Sequence, residues 1–179
     1  MKKLNLIYLL LPIVLFSCGG DADEDPLPLP TDSSFTASVS GDVTSSFDGE
    51  AEFVHAIIKS QPNSNGSGLT IGLENKNNLG EFIALSVYEL GNTTGIKEGT
   101  YNYVLLSTSN LVQGFYTNED TDAFYLFSVE GTTNQIIITS VTDTRVKGSY
   151  NFTIGGLASI GGEITMTGTF DALGVTRTN

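Results

Sequence analysis

The chain has 179 residues, with 20 Asp and Glu against 8 Lys and Arg, one His, one Cys and no Trp. A formal charge of −12 opposes nucleic-acid binding, because phosphates repel it. One Cys excludes an intramolecular disulfide and a cysteine-based zinc site, and one His excludes a multi-histidine metal centre.

Lys2 and Lys3 precede an apolar run from Leu4 to Phe16, broken only by Asn5 and Pro12, which ends at Ser17-Cys18. Charged, then apolar, then small is the layout of a secretory signal. The run, about 13 residues, falls short of the roughly 20 that a membrane-spanning helix needs. Residues 1–17 therefore read as a signal peptide. Residues 18–34 hold Asp21, Asp23, Glu24, Asp25 and Asp32 with Pro26, Pro28 and Pro30. Acidic, proline-rich chain cannot bury a core and extends itself, so this segment reads as a tether.

Residues 35–179 are expected to form a single all-β domain. Phe35–Val39 alternates apolar and polar, as does Leu69–Glu74. Ile136–Val141 is rich in β-branched residues. Near the end, Ile164, Met166, Gly168, Phe170 and Ala172 fall on one face, with Thr165, Thr167, Thr169 and Asp171 on the other. That period of two puts one face in the core and one in water. Phe82–Leu90 and Phe124–Val129 are apolar on both faces, the pattern of covered strands. Turn residues cluster at 63–68, 75–80, 91–99, 118–122, 131–134 and 155–162. Short strands at this spacing predict a mostly antiparallel β-sandwich of nine to eleven strands, with a closed or flattened β-barrel as the alternative.

No catalytic constellation stands out. A nucleophile needs a base within reach, and His55 reads as a surface or satisfied strand residue. Glu50/Glu52 and Asp120/Asp122 are spaced to share a strand face, but acidic pairs are common in an acidic chain. Asn118, Asp120 and Asp122 bring oxygen ligands into one loop and are the weak candidates for calcium. Tyr88, Tyr101, Tyr103, Tyr116 and Tyr125 are the candidates for a ligand platform, if their rings are exposed rather than packed in the core. No enzyme activity and no cofactor are expected.

Leu15-Phe16-Ser17-Cys18 resembles a bacterial lipobox. The resemblance implies cleavage before Cys18 and attachment of fatty acyl chains, such as palmitate, to its thiol and new amine. The acidic residues just behind Cys18 resemble the surface-export signal of lipoproteins from the Bacteroidetes group. That implies an outer-membrane protein facing the cell exterior, with the periplasmic face as the alternative. Three further pieces are similar to a family of uncharacterised Bacteroidetes cell-envelope lipoprotein domains: Glu98-Gly99-Thr100-Tyr101, Val146–Phe152, and Ile164-Thr165 with Gly168–Asp171. This implies an all-β fold in the cell envelope and no assigned activity. The expected function is a non-catalytic lipoprotein held to the membrane through Cys18, whose domain binds a protein partner or extracellular ligand. A glycan-binding module and a small-molecule-binding barrel are the alternatives.

Overall fold

The computed structural model describes residues 33–58, 65–105, 107, 109–156 and 161–175. Cys18, the segment that resembles a lipobox and most of the expected tether lie outside them. Ten strands follow one another: β1 (Ser34–Gly41), β2 (Ser45–Ile58), β3 (Gly66–Asn75), β4 (Glu81–Leu90), β5 (Gly99–Asn102), β6 (Asn110–Asn118), β7 (Ala123–Ser128), β8 (Gln135–Val141), β9 (Arg145–Gly156) and β10 (Glu163–Gly174). A 3-10 turn, Glu119–Thr121, joins β6 to β7.

The strands form where alternation is strongest. Phe35, Ala37 and Val39 of β1 are buried while Ser34, Thr36, Ser38 and Ser40 are exposed. On β10, Ile164, Met166, Phe170 and Ala172 are buried, as the period of two requires. The loop expected over 63–68 is shorter, because Gly66, Ser67 and Gly68 already pair with β2 and β4.

Eight strands close a ring. β1 pairs with β2, β2 with β3, β3 with β4, β4 with β6, β6 with β7, β7 with β9, β9 with β10, and β10 with β1, all antiparallel. The all-β class and the strand count agree with the sequence, and closure selects the barrel alternative over the sandwich. A sandwich leaves strand edges open, whereas a closed ring removes them. β10 also passes the start of β1 and pairs in parallel with β2 at Leu173↔Glu52 and Gly174↔Phe53.

β7 is short, and its register against β9 shifts between Tyr125 and Phe127. β8 continues along the same strand, pairing with the other half of β9. β5 then adds to the outer edge of β8. The barrel thus carries a two-strand extension.

Side chains fill the interior. Leu69, Ile71, Leu73, Ile83, Leu85, Tyr116, Phe152, Ile154 and Ile164 are each at most 1% exposed. Packing is tight around Gly114, where a Cβ would stand 2.4 Å from Met166 Cε and 2.8 Å from Phe152 Cγ. Only glycine lets β6 approach these two side chains so closely.

Candidate functional site

With the interior occupied, the chemistry of the barrel lies on its outer walls, and three walls differ. Along β1, β10 and β9 most outward residues are Ser and Thr, with Asn151 on β9 and Glu163 on β10 among them. Thr36 and Thr169 hydroxyls meet at 3.0 Å, as do those of Thr153 and Thr165. Asp171 closes this wall with Lys147 at 2.8 Å and a two-pronged contact from Arg145. The guanidinium of Arg145 foremost, then Lys147, holds the Asp171 carboxyl below its usual range against the opposing effect of partial burial.

Along β2 and β3 the wall is acidic. Glu50 stands directly across from Glu74, and Lys76 is paired with Asp48. Like charges opposite one another cost some stability. Glu50 and Glu52 do share the outer face of β2, as their spacing predicts.

Along β4, β6 and β7 the wall is apolar. Its outward positions are Phe82, Ala84, Ser86, Tyr88 and Leu90 on β4 and Leu111, Gln113, Phe115 and Thr117 on β6. Phe124 of β7 joins them, its ring edge-on to Phe115 with centroids 5.0 Å apart. No residue on this wall is charged. Leu111 is 52% and Leu90 46% exposed. The neighbouring strand β3 offers glycines under the aromatics. A Cβ at Gly72 would meet Phe82 at 3.2 Å, and one at Gly68 would meet Tyr88 at 3.6 Å. Large rings lying over cross-strand glycines cover the backbone there and fix the rings in place.

The five tyrosines do not form one platform. Tyr116 and Tyr125 are 0% and 2% exposed and point into the barrel. Their strand parity sets this: Tyr116 shares the inward face of β6 with Val112 and Gly114. Tyr101 is also buried, and its hydroxyl donates to the Lys97 carbonyl at 2.9 Å. Tyr103 packs against the core while keeping part of its surface in solvent. Only Tyr88 lies on an outer wall of the ring, half-buried. Burial pushes the phenols of Tyr101, Tyr116, Tyr125 and Tyr150 above their ordinary value.

The proposed calcium ligands are also dispersed. Asn118 caps the 3-10 turn, its Oδ1 accepting from the Asp120 amide at 3.0 Å. The Asp120 carboxylate accepts from Asn78 Nδ2 at 2.9 Å. Asp122 sits exposed at a left-handed φ of 52°. A turn, not a strand, carries Asp120 and Asp122, so their spacing does not align them. Among the described residues no group of three or more His, Cys, Asp or Glu could hold a metal ion.

Two polar features escape the sequence reading. Glu81 is 3% exposed, with Oε1 accepting from the Tyr116 hydroxyl at 2.8 Å and Oε2 from Asn75 Nδ2 at 2.7 Å. Strand parity was the available signal, since Glu81 falls in line with inward Ile83, Leu85 and Val87. His55 accepts from the Ile96 amide at Nε2, 2.9 Å away. Forty-one positions separate them in sequence, so no local pattern could reveal it.

The fold is therefore an eight-stranded antiparallel barrel with a filled interior and a two-strand extension. No family model, no curated protein and no solved structure matches the chain.

Proposed function

We propose that this chain is a non-catalytic outer-membrane lipoprotein, anchored through Cys18 and facing the cell exterior, that binds a protein partner with the outer wall of β4, β6 and β7. The observation that carries the binding role is that wall. In a chain with 20 acidic residues, it presents Phe82, Ala84, Tyr88, Leu111, Phe115 and Phe124 without a charge. Apolar surface of this kind gains free energy when a partner removes it from water. The filled interior favours this reading over a small-molecule-binding barrel. The inward turn of Tyr116 and Tyr125 favours it over a glycan platform built from the five tyrosines. The order of Lys2-Lys3, the apolar run and Ser17-Cys18 supports the anchor.

The test is a paired substitution, Tyr88→Glu with Leu111→Glu, in cells carrying the full chain. Both side chains point outward, so the fold should survive, which circular dichroism checks. After mild cross-linking of native membranes, the wild type is expected to give a discrete protein adduct that the double variant loses. An adduct that persists unchanged, or no adduct from the wild type, rejects the wall as a partner site.

A further inference from the structure

The connection Gly91–Glu98 leaves the end of β4, crosses one end of the barrel and enters β5. It is fastened at each step. Gly91 N donates to the Asn65 carbonyl at 2.6 Å. Ser67, fully buried on β3, donates its hydroxyl to the Asn92 carbonyl at 2.8 Å and accepts from the Gly95 amide at 3.1 Å. Asn92 folds the strap on itself, bonding Thr94 N, the Gly95 carbonyl and Glu89 Oε2. At the far side the Tyr101 hydroxyl bridges the amide and carbonyl of Lys97. Between these points Ile96, 2% exposed, inserts into the core as a plug.

The plug's own amide is held by one group, His55 Nε2 on β2, at 2.9 Å. A backbone N–H can only donate, so this nitrogen must be an acceptor and the imidazole must be neutral, with its proton on Nδ1. Protonation would turn Nε2 into a donor facing a donor. The Gly95 backbone also lies against one side of the ring, where a Cβ would stand 2.7 Å from Cε1, while the residue keeps another side in solvent, where a proton can reach it.

We propose that the strap Gly91–Glu98 is an acid-released cap on the barrel, latched by neutral His55 and freed when that imidazole takes a proton.

The groups around the latch agree. His55 is the only histidine in the chain, and among the strap's fastenings it is the side chain whose type titrates near pH 6 to 7. Across the sheet its register partner on β3 is Leu69, which is uncharged. Within the strap the charged neighbours are Lys97 and Glu98, and on β4 Glu89 is engaged with Asn92. The turn between β8 and β9 contributes the Asp143 carboxylate, which favours the charged ring. Desolvation outweighs that pull and holds the His55 pKa below its usual 6.5. The sign follows. The released imidazole takes a proton near 6.5 and the latched one does not. The latch is therefore at full strength above that pH and weakens as pH falls below it. With one proton linked to opening, the open fraction rises by up to about tenfold per pH unit over that window.

The experiment is amide hydrogen exchange of the full chain in detergent micelles, from pH 7.5 to 5.5, corrected for intrinsic exchange. The lower limit stays above the usual carboxylate range. Protection at Ile96 and Gly95 is expected to fall several-fold below pH 6.5, while core amides such as Leu85 hold. Nitrogen-resolved NMR of His55 should show the neutral Nδ1–H tautomer at pH 7.5. His55→Gln keeps an acceptor near the Nε2 position and cannot titrate, so its Ile96 protection should be flat with pH. Protection at Ile96 that is pH-independent in the wild type overturns the proposal. So does an equal acid loss in His55→Gln, or an imidazole that titrates above 6.5. If His55→Gln does not fold, the wild-type profile and tautomer decide alone.

Discussion

Glu81 is a carboxyl group taken out of water, 3% exposed. Two neutral donors satisfy it, the Tyr116 hydroxyl on one oxygen and Asn75 Nδ2 on the other. Such a group tolerates burial only while its hydrogen bonds are complete. Tyr116→Phe keeps the ring and removes one donor, which should cost about 1–3 kcal/mol in urea unfolding. A loss within the roughly 0.5 kcal/mol of an ordinary surface change would show that the bond contributes nothing. The same contact sets a pH dependence. Burial foremost, then the bond to Glu81, pushes the Tyr116 phenol well above 10. The unfolded chain ionises that phenol near 10 and the folded one does not. Tyr116 therefore supports folding below that pH and withdraws its support as the pH rises past it, which an alkaline unfolding series compared with Tyr116→Phe would measure.

At the scale of strands, β6 shows how a single missing side chain positions an element. Gly114 sits between Val112 and Tyr116 on the inward face, opposite Met166 and Phe152. Gly114→Ala should destabilise the barrel by about 1–3 kcal/mol through overpacking. The Met166 methyl is the flexible end of its side chain and can yield, but Phe152 Cγ is fixed to its backbone. Measured in a Met166→Ala background, the Gly114→Ala penalty should therefore shrink without vanishing, and a penalty of zero there would contradict that division. Strands of this kind were legible beforehand because alternation is local: β1 and β10 read directly from Phe35–Val39 and Ile164–Ala172. Closure was not legible, because a sandwich strand and a barrel strand bury alternate residues in the same way. Nor were inward and outward aromatics separable by type. Tyr88 and Tyr116 differ only in parity, and parity requires knowing where each strand begins. The turn at 118–122 misled for a related reason. Asp120 and Asp122 share a face only if extended, and Asn118 instead caps a 3-10 turn.

For the whole molecule, the three walls divide the surface by chemistry: hydroxyls on β1, β9 and β10, carboxylates on β2 and β3, apolar side chains on β4, β6 and β7. Among the described residues no helix is long and apolar enough to cross a membrane. The outward faces of β1 and β2 carry Ser, Asp and Glu, which a lipid-facing barrel wall could not bury. The membrane attachment proposed above rests on the lipobox-like segment. Cys18 is the only cysteine and precedes β1 in sequence, so its loss should leave the fold intact. Two or more acyl chains hold a protein firmly, whereas one gives marginal binding. Cys18→Ala should accordingly move the protein from the membrane pellet to the soluble fraction, with the melting temperature of the barrel unchanged. If the variant stays in the pellet after a high-salt wash, the acyl anchor is wrong, and the apolar run Leu4–Phe16 itself becomes the attachment. If it is released but unfolded, Cys18 is part of the folded domain and the tether reading fails instead.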